Sequence, residues 1–201
     1  MPEKNINSTT MLPAALRPTP DESGMTVPQL LEHRINALFE QIPLVAELGE
    51  AFAQAGHDLY LVGGSVRDAL MGRLGHDLDF TTDARPDDTE AILRQHTHAT
   101  WDIGRAFGTI GAQIDDWVVE VTTYRADAYH PDSRKPEIVY GETLKDDLIR
   151  RDFTVNAMAL HAATRTFSDP YAGLTDIVSG ILRTPFPPER SFSDDPLRMM
   201  R

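Results

Sequence analysis

The stretch LVGGSVRDALMGRLGHDLDF, residues 61–80, decides how this chain is read. With the preceding Asp58-Leu59-Tyr60 it predicts a short buried strand that runs into Gly63 and Gly64. A helix over SVRDALM follows, closed by Gly72, and a second strand over HDLDFTT. Ser65 followed by Asp68 three residues later matches an acidic form of the capping box, so Asp68 is expected to cap its own helix. Side chains alternate across a strand, which puts Asp77 and Asp79 on one face and Leu78 and Phe80 on the other.

Two carboxylates about 7 Å apart at the backbone can converge on metal ions, and paired ions clamp the attacking and leaving oxygens of a phosphoryl transfer. Magnesium suits a site with few carboxylates, completed by water and substrate phosphates. A lone D-x-D also describes a solvent-facing edge strand, and the adjacent glycine turn is what argues for chemistry. Glycines at a strand end let the backbone approach a phosphate, and the next helix offers unpaired N–H groups at the positive end of its dipole. Arg67, in the first turn, can hold phosphate with two parallel hydrogen bonds. Neither a Walker loop nor a G-x-G-x-x-G fingerprint is present, and a glycosyltransferase D-x-D stays open at this stage.

Outward from this stretch, residues 1–26 mix Pro, Ser, Thr and Asn without periodicity and read as a disordered extension. From Val27 to Ala55 apolar residues recur at helical spacing, Leu30, Ile35 and Leu38, then Leu44, Val45, Leu48 and Phe52. Pro43 divides the run into two helices. Beyond Phe80, PDDTEAILRQ predicts a helix with Pro86 in its first turn. FGTIGAQI and WVVEVTTY, separated by Asp115 and Asp116, predict a hairpin. Glu120 lies on the second hairpin strand. As a third carboxylate it could take a proton from an attacking hydroxyl; a plain surface glutamate fits the pattern as well. Residues 126–141 read as a mobile loop that orders on substrate, or as an ordinary surface loop. KDDLIRRDFTVNAMAL reads as helical, TRTFSDP as an edge strand, GILRT as a strand, and SDDPLRMMR as a helix that starts at Pro196 and stops after a turn or two. An ending of that kind suggests a piece of a longer protein.

Of the 201 residues, 31 are acidic and 19 are Lys or Arg, a net charge of −12. Bulk electrostatics therefore oppose binding to nucleic acid phosphates, and any such binding needs a local basic cluster. The absence of cysteine excludes disulfides and thiolate metal sites and suits a reducing compartment. No run of eighteen apolar residues occurs, so no membrane partner and a cytoplasmic location are expected.

LVGGSVRDALMGRLGHDLDFTT, EVTTYR, SRKPEIVYGETLKDDLIRRDFTVNAMAL, DPYAGLTDI and DDPLRMMR resemble, in this order, the class II tRNA nucleotidyltransferase and bacterial poly(A) polymerase family. Over about residues 45–201 the chain looks like the head and the start of the neck of a CCA-adding enzyme, most like the actinobacterial type. The resemblance implies an α+β, polymerase beta-like nucleotidyltransferase fold, with a small mixed, largely antiparallel sheet flanked by helices. It further implies a head over 27–165 and the start of a helical neck over 166–201. The implied activity is addition of CMP and AMP from CTP and ATP to the tRNA 3′ end, with two magnesium ions on Asp77 and Asp79 and Glu120 as a further candidate catalytic carboxylate. By position, Gly63, Gly64, Ser65, Arg67, Arg151, Asp152, Asp195, Arg198 and Arg201 are the implied nucleotide-binding residues.

In the family, an acidic pair followed by Arg reads the incoming base, here Asp194, Asp195 and Arg198. Cytosine and adenine both present an amino donor beside a ring-nitrogen acceptor, which an Asp and an Arg complement. Uracil and guanine present the reverse and would leave both side chains mispaired. Asp194 stands where the family usually has Glu. A poly(A) polymerase, a partial CC- or A-adding enzyme, and a fragment that binds nucleotide without turnover share the same motifs. The oligomeric state is left open.

Overall fold

The computed structural model describes residues 19–73, 75–126 and 139–201. Two helices open it, α1 (Val27–Gln41) and α2 (Pro43–Gln54), separated at Ile42 as the proline predicts. Strand β1 (Leu59–Val62) then leads directly into helix α3 (Gly63–Leu70), followed by β2 (Asp77–Thr82) and α4 (Pro86–Leu93). Strands β3 (Thr100–Trp101), β4 (Thr109–Ile114) and β5 (Trp117–Thr123) come next, and β6 (Arg125–Ala126) pairs with β7 (Val139–Tyr140) as a separate two-stranded ladder. The chain closes with α5 (Leu144–Ile149), β8 (Ala159–His161), β9 (Phe167–Ser168), α6 (Gly173–Ser179) and α7 (Pro188–Asp194).

Seven strands form one sheet in the order β3-β4-β5-β2-β1-β8-β9. Only β2 and β5 run parallel; every other pair in the sheet is antiparallel, giving the α+β arrangement that the family resemblance implies. One face of the sheet carries Leu59, Leu61, Leu78, Phe80, Ile110, Val119, Val121 and Leu160, all packed against apolar residues of α1, α2, α4 and α6. Full burial of each such side chain contributes about 1.5–3 kcal/mol. On the opposite face, Val62 and Ala159 pack under Leu148 of α5, so that helix covers one part of the sheet and leaves the ends of β2 and β5 open. Helix α2 approaches the chain after β8 so closely that a Cβ on Gly49 would lie 2.5 Å from the Ala162 carbonyl carbon. Strand β9 and helix α6, which the sequence division at 165/166 assigned to the neck, pack on this same sheet and core.

Several local expectations need correction. Helix α3 begins at Gly63, with Val62 at its N-cap, so Ser65 lies inside the first turn and cannot cap, and Asp68 turns to Arg67 instead. KDDLIRRDFTVNAMAL is not one helix. Residues Leu144–Ile149 are helical, Thr154–Asn156 form a 3₁₀ turn, and Ala159–His161 form a strand paired with β1. Asp152, whose carboxylate accepts the Phe153 N–H at 2.8 Å, holds the extended turn between them. Ile181–Thr184 make no ladder; the Arg183 carbonyl instead accepts the Thr154 N–H at 2.8 Å. The predicted last helix is divided at Asp195, with α7 before it and a 3₁₀ turn, Pro196–Met200, after it.

The expected N-terminal disorder lies for residues 1–18 outside the described residues, as do residues 127–138 of the expected mobile loop. Residues 19–26, by contrast, are folded. A 3₁₀ turn at Pro20–Glu22 brings Glu22 against Arg34 of α1, 2.9 Å from its Nε, with both side chains buried. Composition hides this contact because it depends on a residue twelve positions away. Among the described residues no helix is long and apolar enough to cross a membrane.

Hydrogen bonds from Arg34 hold the Glu22 carboxyl down to about 2 from an ordinary 4.5, against the opposing effect of burial. A depressed folded-state pKa contributes stability above the unfolded value and loses it as the pH falls. Glu22→Gln should therefore cost about 2–3 kcal/mol at neutral pH. In urea denaturation, its gap to the parent protein should narrow as the pH drops from 4.5 toward 2.

Candidate active site

A cleft of about 520 Å³ opens where the C-terminal end of β1 meets the beginning of β2. Its floor is the glycine turn. Gly63 has φ +67°, a conformation that costs other residues about 1–2 kcal/mol, and a Cβ there would sit 3.2 Å from Arg151 Nη1 and 3.9 Å from Asp79 Oδ2. Both a positive φ and close approach of two functional groups thus require glycine at this position. Ser65 ties the turn to β2: its hydroxyl donates to the Asp77 carbonyl at 3.2 Å and accepts the Asp79 N–H at 3.1 Å. It positions the strand and does not line the cleft.

Asp77 and Asp79 occupy the same, open face of β2, as the alternation predicts, and both are exposed. Asp79 lines the cleft; Asp77 does not line it, but its charge acts on Asp79. In the parallel pairing of β2 with β5, Glu120 is directly opposite Asp79 and also lines the cleft. Desolvation by the cleft walls raises the Asp79 carboxyl above the ordinary carboxylate range; Arg151 opposes this and the like charge of Asp77 adds to it. Among the described residues no three acidic or histidine side chains converge as a metal cage. The donor set is a pair of carboxylates, hard oxygen ligands whose mutual repulsion Arg151 partly offsets. It fits magnesium completed by water and substrate phosphates.

The opposite wall is basic. Arg125, Arg150, Arg151, Arg198 and Arg201 all line the cleft, the local cluster that an acidic chain needs in order to meet phosphates. Arg151 and Arg150 are held by Asp147 of α5, at 2.8 and 2.7 Å. Burial alone would raise the Asp147 carboxyl, and the charges of Arg151 and Arg150 outweigh it and hold it below its ordinary value. Helix α5 itself is set by a capping box in which Thr143 Oγ1 accepts the Asp146 N–H at 3.3 Å and the Asp146 carboxylate accepts the Thr143 N–H at 3.1 Å.

Arg67 does not face the cleft. Its guanidinium pairs with Asp68 at 2.9 Å and donates to Asn156 Oδ1 at 2.6 Å. Asn156 in turn donates to Asp152 Oδ1 at 2.9 Å, and Asp152 Oδ2 lies 3.4 Å from Arg201 Nη1. Arg67 is thus the far end of a chain that orients Asp152. Asp195 and Arg198 both reach the cleft, 3.8 Å apart. Asp195 caps the last turn by accepting the Leu197 N–H at 3.0 Å. Arg198 donates to Ser191 Oγ at 2.7 Å and to the Arg150 carbonyl at 2.8 Å. Asp194, by contrast, ends α7 and faces Arg190 at 3.7 Å.

Of the predicted site residues, Gly63, Gly64, Asp79, Glu120, Arg151 and Asp152 share the cleft with Asp195, Arg198 and Arg201. Asp77, Ser65 and Arg67 do not line it. Sequence reasoning missed Arg125, Asn156 and Asp147. For Asp147 a signal existed, since it precedes two arginines by three and four residues on a helix.

Residues 59–183 match the family described as the poly A polymerase head domain. The CCA-adding enzyme of Bacillus subtilis strain 168 is 42% identical over 149 residues, which are 74% of this chain and 36% of that protein. The crystal structure of the Bacillus stearothermophilus CCA-adding enzyme in complex with CTP is similar at a TM-score of 0.69 and 36% identity, covering 80% of this chain and 37% of that one. A tRNA nucleotidyltransferase complexed with a primer tRNA and an incoming ATP analog gives 0.63 and 33%, covering 77% and 42%. The chain spans less than half the length of these relatives.

Because Arg151 is the cation that pulls the Asp79 carboxyl down, Arg151→Ala should move its titration further upward. Carboxyl-carbon NMR of Asp79 across pH 3–8 in the two proteins checks this, and an unchanged midpoint counts against the coupling.

Proposed function

The chain belongs to the family of the poly A polymerase head domain, and on that premise we propose that it is the catalytic head of a CCA-adding tRNA nucleotidyltransferase. The observation that carries this reading is the meeting, in one cleft, of Asp79 and Glu120 from the sheet with the Gly63 turn and Arg151. The substrates are CTP, ATP and the 3′ end of tRNA, in a cytoplasmic setting.

In this reading the terminal hydroxyl oxygen of tRNA bonds to the α-phosphorus of the nucleotide, the bond to the β-phosphate oxygen breaks, and pyrophosphate leaves. Glu120, opposite Asp79, takes the proton of the attacking hydroxyl. Asp77 and Asp79 would hold magnesium, as two ions, which when bound would supply positive charge to the phosphoryl group and the leaving pyrophosphate. Gly63 and Gly64 let the backbone approach the triphosphate, Arg151 neutralises it, and Asp152 faces the ribose. Catalysis is then mainly positioning and electrostatics.

Base choice falls to Asp195 and Arg198. Arg198 is anchored on Ser191 and on the Arg150 carbonyl, which fixes the direction of its remaining N–H groups. Asp195 accepts from the amino group of cytosine or adenine while Arg198 donates to the neighbouring ring nitrogen. UTP and GTP would leave both unmatched, a cost of about 1–3 kcal/mol for each buried group.

The test uses tRNA lacking its CCA end, magnesium and labelled CTP and ATP. Incorporation in the parent protein, lost by at least about a thousandfold when Asp77 and Asp79 are both changed to Ala, is the expected outcome. Turnover that survives the double substitution refutes the metal assignment, and incorporation of AMP alone moves the activity to a poly(A) or A-adding enzyme. Arg198→Ala should reduce the CTP over UTP preference by about tenfold or more; an unchanged ratio refutes its part in base selection.

A further inference from the structure

Asp147 is the one acidic side chain of the site that no solvent reaches, with 0% exposure. Both of its oxygens are engaged: Oδ1 accepts from Arg150 Nη2 at 2.7 Å and from the Arg125 backbone N–H at 3.4 Å, and Oδ2 accepts from Arg151 Nη2 at 2.8 Å. The three residues it touches are three arginines of the cleft wall. Each has a buried Nε without a hydrogen-bond partner among the described residues.

We propose that Asp147 is a positioning residue that never touches substrate and that arranges Arg125, Arg150 and Arg151 as a receptor for the triphosphate of the incoming nucleotide. The inference rests on the nucleotidyl-transfer reading above and deepens it. One carboxylate holds the guanidiniums of Arg150 and Arg151 and the backbone of Arg125, and orders them without neutralising them. Burial, and after it the charge of Arg150, lowers the Arg125 pKa, and Asp147 only partly offsets this, so the wall retains a surplus of positive charge. A ligand with several adjacent negative groups relieves that surplus, and a nucleoside monophosphate relieves much less of it. Arg151 Nη1, left free by Asp147, would lie 3.2 Å from a Cβ on Gly63, so the bridge to Asp147 aims that guanidinium at the phosphate turn.

The same bridge reaches the base-reading end. The Arg150 carbonyl accepts from Arg198 while its guanidinium is held by Asp147, so one residue ties the phosphate wall to the proposed base reader.

The experiment is calorimetric titration of the full chain with CTP and with CMP, in magnesium, for the parent protein and Asp147→Asn. The CTP dissociation constant should rise by about tenfold or more, the size expected when a charge-assisted contact is lost, while that of CMP changes by less than about threefold. A role confined to folding would lower the melting temperature or the active fraction and leave the ratio of CTP to CMP affinity unchanged. Asp147→Glu, which keeps the charge but displaces the guanidiniums by a methylene, should show the same CTP-selective loss and serves if the asparagine variant does not fold. Equal factors for CTP and CMP, or no change in either folded variant, overturn the proposal. A parent protein that binds neither nucleotide overturns the nucleotidyl-transfer reading itself, and this inference falls with it.

Discussion

Leu78 and Phe80 are buried to 3% and 1% exposure in the helical core, and that burial dictates where Asp77 and Asp79 go. A one-residue slip of β2 would put two carboxylates into the apolar core and two large apolar groups into water, so the register is strongly specified. The rest of the site follows from this strand. Its parallel partner β5 places Glu120 opposite Asp79, its antiparallel partner β1 delivers the glycine turn to the same end, and Ser65 links the turn to both aspartates' backbones.

Around that acidic pair the chain builds a wall of opposite charge. An overall charge of −12 makes a long-range attraction to nucleic acid or nucleotide unfavourable, and a local arginine cluster overcomes this only at short range. Helix α5 is six residues long and would be marginal alone. Its capping box, Leu148 packed beneath the sheet, and the Asp147 bridges together hold it where the arginines can act. The two charged walls constrain each other: Arg151 lowers the Asp79 carboxyl that burial and Asp77 raise.

Much of this was legible in the sequence because it depends on local periodicity. Alternation in HDLDFTT separated the aspartates from the core residues, Pro43 divided α1 from α2, and the Asp115-Asp116 turn joined β4 to β5. The failures have a common physical form. Ser65 and Asp68 match a capping box in sequence, yet helix α3 starts two residues earlier, where Gly63 accepts a positive φ. FTVNAMAL looks helical in isolation, but β1 offers an unpaired edge, and pairing with it turns Ala159–His161 into a strand. Glu22 reads as part of a polar tail until Arg34 is seen to face it.

By itself the sequence determined the strand, glycine turn, helix and strand around residues 61–80 and the outward face of Asp77 and Asp79. Each of these rests on interactions between residues close along the chain. Only the tertiary structure decided which arginines face the cleft, that Arg67 supports Asp152 from behind, and that Asp147 lies under the basic wall. Those assignments depend on long-range pairings, β1 with β8 and Arg198 with Arg150, and on the orientation of long side chains. A guanidinium several bonds from its backbone takes its direction from the partners that packing brings to it.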